Sequence, residues 1–330
     1  MAKSIFCRDV ADTVRRMRWS NAVRLLANDK MRIIATAKCN LDCFYCHNEG
    51  QAKDDSFLEI DTLQSVARVI RESDITVNEV TVSGGEPLLH PRLLEIVSVA
   101  ASFSESVTMV SNGILADKAR LGQLVSVGLD KIRLGVDSLH STKPRPSKGY
   151  LAEAFQIEKL LDAAHELGLA LDLNVVITKF NRFELGALAR FAIEHSLSIK
   201  FFEHVDVDEF GGTGRGGVMI SRPHVTYEEF VSQLRTSIGP AVVLSAADRF
   251  GDANVSCYIG DSEIRYCRYL CNYDLCWLTG TRLDARGYVY NCMVNRGVDR
   301  IGPESEHKSI IRLIETASQR PCRFAKESRT

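Results

Sequence analysis

Six short apolar runs alternate with amphipathic stretches over the first two thirds of the chain, and this rhythm predicts an α/β fold of parallel strands joined by helices. Two further observations narrow it. Six βα units are too few for a closed eight-stranded barrel and suit a partial (β/α)6 TIM-like barrel. A tight cysteine loop follows the first strand, at the end of such a barrel where active sites lie. A chain of 330 residues is long enough for one large α/β domain and a small appendage. A second group of cysteines marks that appendage as a small C-terminal domain with its own metal centre. The expected division is a helical extension at 1–30, the barrel at 31–225 and a cysteine-rich C-terminal domain at 226–330.

In the N-terminal extension, Val10, Val14 and Met17 fall on one helical face that would close the base of the barrel. Strands are expected at residues 32–37, 79–82, 107–110, 131–135, 171–177 and 199–202. Asp61 and Gln64 offer an N-cap and its reciprocal partner for a helix with Leu63, Val66, Ala67 and Ile70 on one face. Leu93, Ile96, Val97 and Ala100 repeat that spacing, and Phe155, Leu160, Leu161 and Ala164 do so less regularly. Asn181 is placed to cap a helix carrying Leu185, Leu188, Ala189 and Ala192. Residues 205–225 read as an irregular loop, glycine-dense at 211–217, more a linker or lid than a phosphate cradle.

Apolar residues make up 45% and charged residues 25%, with a net charge of -1. That balance gives no basic field for nucleic acid and no polybasic membrane patch. The sequence holds no run of about 18 apolar residues and no hydrophobic signal core. The expected setting is the cytoplasm, which is reducing. Ten cysteines are many for it: three lie in the first loop, six follow position 256, and Cys7 stands alone.

The first loop reads Lys38-Cys39-Asn40-Leu41-Asp42-Cys43-Phe44-Tyr45-Cys46-His47-Asn48-Glu49-Gly50. Three thiolates so spaced can hold three corners of a four-iron cluster and leave the fourth iron open to a ligand. The competing readings are zinc and a disulfide. Zinc usually takes four ligands in paired short spacings, and only His47 is near enough to be the fourth. A disulfide does not suit a reducing compartment. After the second strand comes Ser83-Gly84-Gly85-Glu86-Pro87, where two glycines allow a backbone to approach a ligand closely and Pro87 fixes the turn. Ser111 and Asn112 end the third strand, Asp137 and Ser138 follow the fourth, and Asn174 lies within the fifth. An unpaired polar group beside a buried strand costs about 1–3 kcal/mol, so each needs a structural partner or a ligand.

The cysteine loop with its aromatic before the last Cys, and Gly84-Gly85-Glu86-Pro87 in register with it, resemble the signature of the radical S-adenosylmethionine (SAM) enzymes. The resemblance implies a [4Fe-4S] cluster on Cys39, Cys43 and Cys46 whose free iron chelates SAM. It implies a 5′-deoxyadenosyl radical that abstracts hydrogen from substrate, and an electron donor such as flavodoxin or ferredoxin. It also implies SAM contacts from Tyr45, Gly84, Gly85, Glu86, Pro87, Ser111, Asn112, Asp137, Ser138 and Asn174.

Near the C-terminus, Asp284-Ala285-Arg286-Gly287 reads as a hairpin turn whose open end would bring Cys276 and Cys292 together. This segment resembles the auxiliary-cluster hairpin of the SPASM and twitch subgroups. The resemblance implies a second iron–sulfur cluster, expected as [4Fe-4S], on Cys271, Cys276 and Cys292. Cys267 or Cys322 would be its fourth ligand, or its last iron would stay open. The alternative is a zinc-ribbon site in a non-enzymatic protein. Cys257 and Cys7 read as small buried residues. One thiol among Cys267, Cys257 and Cys322 is the candidate hydrogen donor of a radical epimerase.

Within the superfamily the chain most resembles the GTP 3′,8-cyclases of molybdenum-cofactor biosynthesis, over roughly residues 30–295. It departs from them in three places. His90 stands where they carry Arg, Arg282 alone remains of their arginine-rich run, and the chain ends Glu-Ser-Arg-Thr in place of Gly-Gly. A triphosphate needs several cationic partners. The expectation is therefore a biosynthetic relative acting on another small polar substrate, a nucleoside, sugar or peptide, by cyclisation, oxidation or epimerisation. His90, Glu203, His204 and Arg282 are the expected substrate contacts.

Overall fold

The computed structural model describes residues 30–73, 75–139, 157–204, 224–246, 254–267, 280–291 and 299–319, and the backbone of 147–148, 206–207 and 218–219. The N-terminal extension, the glycine run and Cys7, Cys271, Cys276, Cys292 and Cys322 lie outside the described residues.

All six expected strands form: β1 (Lys30–Thr36), β2 (Glu79–Gly84), β3 (Ser106–Ser111), β4 (Lys131–Gly135), β5 (Ala170–Ile177) and β6 (Ser198–Glu203). They lie side by side in chain order and all parallel. Helices α1 (Ile60–Arg71), α2 (Leu93–Ala101), α3 (Lys118–Ser126), α4 (Ile157–Leu167) and α5 (Leu185–Glu194) connect them. In β5 burial alternates along the strand. Leu171, Leu173, Val175 and Ile177 of β5 are buried against the helices, while Asp172, Asn174 and Val176 between them are half-buried. One continuous core fills the space between strands and helices, and each Leu, Ile or Val enclosed there contributes about 1.5–3 kcal/mol.

Two expected caps fall elsewhere. α1 starts at Ile60 behind Glu59, so Asp61 lies in the first turn and complements the helix dipole rather than capping. Asn181 caps no helix. Its Oδ1 accepts the Thr178 N–H at 2.8 Å, and its Nδ2 donates to the carbonyls of Asp137 and Val176. It pins the loop after β5 to the loop after β4.

The chain after residue 226 starts with α6 (Tyr227–Ser237), closed by a complete Thr226–Glu229 capping box. Its later strands join the same sheet at both margins. β7 (Asn254–Ile259) and β8 (Ser262–Cys267) form a hairpin, with β8 parallel to β6. β9 (Thr281–Leu283) pairs parallel with β1 and antiparallel with β10 (Val289–Tyr290). The boundary expected at 225/226 therefore does not coincide with a break in the sheet. Helix α7 (His307–Gln319) packs against α1 and β10. Among the described residues no helix is long and apolar enough to cross a membrane.

Candidate active site

The cysteine loop leaves β1 at the C-terminal mouth of the barrel. Cys39 and Cys43 are half-buried and Cys46 is exposed. Desolvation in the loop, with the neighbouring thiols and carboxylates adding to it, pushes Cys39 up to about 11 and Cys43 up to about 12. Cys46 is raised too, mainly by desolvation. Backbone N–H groups aim at two of the sulfurs, Leu41 at Cys39 Sγ (3.4 Å) and Asn48 at Cys46 Sγ (3.3 Å). Such donors stabilise thiolates bound to iron. Among the described residues no three His, Cys, Asp or Glu side chains are grouped so as to hold one metal ion. A cluster asks for three separated thiolates, one per iron, in place of one shared ion.

The two glycines of Gly84-Gly85 make a close approach, but to protein. A Cβ on Gly84 would lie 2.4 Å from the Thr36 carbonyl oxygen, and one on Gly85 2.1 Å from that of Lys38. Gly85 N–H donates to Thr36 O and Glu86 N–H to Lys38 O, each at 2.8 Å. The turn after β2 is thereby laid directly on the root of the cysteine loop. Glu86 is fully buried, with Ser111 Oγ (2.8 Å), Leu88 N–H (3.0 Å) and Asn112 N–H (2.8 Å) all donating to its carboxylate. Burial raises its pKa and these donors hold it back. Pro87 opens the short turn that follows and is buried. Asn112 Nδ2 donates to Asn40 Oδ1 at 2.8 Å, tying the end of β3 to the residue after Cys39.

On the other flank, the Tyr45 hydroxyl donates to Asp137 Oδ1 at 2.5 Å. Tyr45, Phe180 and His204 pack edge to face around Phe44, and His204 Nδ1 lies 3.2 Å from His224 Nε2. Ser138 donates to Glu184. Asn174 Oδ1 is buried without a hydrogen-bond partner among the described residues, a polar atom inside the barrel that a ligand's donor would meet.

Several expected contacts lie elsewhere. His90 is buried, with Nε2 3.1 Å from Leu58 O and Nδ1 accepting from Arg92 N–H, so neither ring nitrogen faces a substrate. Glu203 accepts from Tyr266, which is buried against Phe230 of α6, outside the barrel. Cys257 is buried and pairs with Ile264, on the face of β8 opposite Cys267. Cys267 ends β8 beside Phe202 on the inner face. Arg282 is buried, donates to Asn291 O at 2.6 Å and lies 3.7 Å from Glu49 Oε2.

The sequence reading missed the charged inner face of the barrel. Glu79 of β2 reaches Arg133 of β4 across β3 at 3.0 Å, which requires a concave common face. One register row higher, Asn174, Lys200 and Arg265 stand side by side on β5, β6 and β8. Burial, then the neighbouring Arg133 and Arg265, pull Lys200 down to about 8. The signal was present as charged residues alternating with apolar ones, as in Lys131-Ile132-Arg133-Leu134 and Ile199-Lys200-Phe201.

Residues 33–192 match the radical SAM superfamily. Over 293 residues the chain is 27% identical to the probable GTP 3′,8-cyclase of Pyrococcus horikoshii, covering 86% of this chain and 90% of that protein. It is 30% identical to the GTP 3′,8-cyclase of Chlorobaculum tepidum over 185 residues, 55% of each chain. Among solved structures, native anSMEcpe with bound AdoMet superposes with a TM-score of 0.56 at 16% identity, over 87% of this chain and 81% of that one. Streptococcus suis SuiB bound to precursor peptide SuiA gives 0.57 at 15%, over 91% of this chain and 66% of that one. These structures share the partial-barrel fold. The match over residues 33–192, just under half of the chain, makes that segment a radical SAM domain, and with the cyclase relatives it indicates an enzyme.

Proposed function

We propose that the enzyme abstracts hydrogen from a small polar substrate bearing an anionic group, in a biosynthetic pathway. When bound, the [4Fe-4S] cluster and SAM supply a 5′-deoxyadenosyl radical. Cys39, Cys43 and Cys46 would hold the cluster. The backbone at Gly84–Gly85, Asn112, the Tyr45–Asp137 pair and Asn174 surround the place for SAM. The observation that carries the substrate class is the inner-face row of Asn174, Lys200 and Arg265 at the barrel mouth. Lys200 makes no ion pair within the described residues, and a bound carboxylate or phosphate would give it one. The aromatic wall of Phe44, Phe180 and His204 would keep water from that space.

The relatives favour a specific version, cyclisation of GTP. Arg282 is engaged by Glu49 and Asn291, Arg133 by Glu79 and Arg265 by Glu263, so Lys200 is the inner-face cation that supports an anionic substrate. Cys271, Cys276 and Cys292 would hold an auxiliary cluster that binds substrate or accepts an electron. Anaerobic reconstitution with iron and sulfide tests the whole reading. The expected result is at least four irons per chain and 5′-deoxyadenosine from SAM plus dithionite, both lost in Cys43→Ala. Fewer than four irons with no SAM cleavage would sink it. A specific shift of the EPR signal by GTP, absent with nucleosides and sugars, would select the cyclase; no shift would select another substrate.

A further inference from the structure

Two residues after Cys46 the chain turns left-handed for three residues: Asn48 (φ 44°), Glu49 (φ 53°) and Gly50 (φ 86°). Among the described residues only one other non-glycine, Ser196, has positive φ. Asparagine tolerates this region, but a glutamate does so only when its surroundings hold it there. A glycine at 49 would meet the backbone's need, so the side chain must supply something in return. Its carboxylate bridges two strands: Arg32 of β1 at 2.6 Å and Arg282 of β9 at 3.7 Å. The Tyr290 hydroxyl of β10 donates to the Glu49 carbonyl at 2.9 Å. Asn48 Nδ2 lies within 3.4 Å of the carbonyls of Ala37, Gln51 and Ala52. The strained turn is thus fastened from several sides, two of them on the C-terminal hairpin.

What the turn presents is the Asn48 N–H aimed at Cys46 Sγ. We infer that Glu49 is a positioning residue: clamped by Arg32 and the β9–β10 hairpin, it fixes the peptide that hydrogen-bonds Cys46 and so tunes the first cluster from the C-terminal region. The line of contacts runs from Asn291, next to Cys292 in sequence, through Arg282 and Glu49 to Asn48 and Cys46. Hydrogen bonds to cluster sulfurs set both potential and retention of the metal. The inference rests on the assignment of Cys39, Cys43 and Cys46 as cluster ligands.

The test uses the full-length reconstituted enzyme with Glu49→Gln, Arg282→Lys and Tyr290→Phe. Tyr290→Phe removes one hydroxyl and keeps the ring, so it carries the test if the others fail to fold. The readouts are the SAM-dependent change in the EPR spectrum of the reduced cluster and the rate at which a chelator strips its iron. The variants are expected to bind as much iron as the wild type, to alter the SAM-dependent signal and to lose iron about tenfold faster. Wild-type spectra and rates in folded variants would overturn the positioning role. A wild type with no SAM-dependent cluster signal would instead overturn the ligand assignment beneath it.

Discussion

Gly85 shows how one missing methyl group builds the site. Its backbone lies against the Lys38 carbonyl, and a Cβ would stand 2.1 Å from that oxygen, a contact no rotamer can relieve. Gly85→Ala is expected to cost about 1–3 kcal/mol by overpacking. It would also push Lys38, and with it Cys39, out of place. Thermal unfolding of the apoprotein and iron content after reconstitution check the two effects separately. Lys200 illustrates the opposite case, a residue kept at a cost to stability. Its folded-state pKa of about 8 lies below the ordinary 10.5, so between those values the unfolded chain binds more protons and stability rises with pH. The destabilisation is fully present below pH 8. Lys200→Met is therefore expected to stabilise the apoprotein at pH 7 by about 1–3 kcal/mol, flatten its pH dependence above pH 8 and weaken substrate binding. Chemical denaturation at pH 7 and pH 10 measures the first two effects. A variant less stable than wild type at pH 7 would show that the lysine packs rather than binds.

Helix α6 depends on its N-terminus. Thr226 Oγ1 accepts from the Glu229 N–H, and the Glu229 carboxylate accepts from the Thr226 N–H. Thr226→Ala should cost about 1 kcal/mol in a urea titration. α6 covers Tyr266 and Phe201 through Phe230, so its fraying would loosen β6 and β8 together. That capping box was readable as Thr226-x-x-Glu229 yet not recognised, because a single helix with no following βα unit offered no rhythm to confirm it. The six barrel strands were readable because each is a short apolar run between turn residues, a pattern that survives without knowledge of neighbours. The hairpin strands β7 and β8 were not. Their alternation, as in Glu263-Ile264-Arg265-Tyr266, describes an edge hairpin on any sheet, and only tertiary pairing attaches it to β6. The site divided in the same way. Cys39, Cys43, Cys46 and Gly84–Pro87 are local motifs and stood out. Glu49, Lys200 and Arg265 acquire meaning only when strands distant in sequence bring cations and carboxylates face to face.

The molecule as a whole is held by polar chemistry on the inside of the barrel as well as by the apolar layer outside it. Lys30 and Arg133 both reach Glu79, and Lys131 reaches Asp172, linking four strands from β1 to β5 across the concave face. The C-terminal strands then extend the sheet at both margins, through β8 on β6 and β9 on β1. A barrel so bounded does not separate from its C-terminal segment without exposing two strand edges. The ion network gives this arrangement an acid signature. Burial alone would raise Glu79, but Arg133 and Lys30 outweigh it and hold the carboxyl at about 2, against an ordinary 4.5. With the folded value below the unfolded one, the stabilisation is complete above pH 4.5 and is lost as the pH falls towards 2. Glu79→Gln is expected to cost about 1–3 kcal/mol at neutral pH, since Arg133 and Lys30 lose a shared partner, and to remove part of the acid sensitivity. The check is urea unfolding of both apoproteins at pH 7 and pH 3. The gap between wild type and variant should narrow at the lower pH. A gap that stays constant would mean that Glu79 acts through packing, leaving the inner-face charges without a part in holding the strands together.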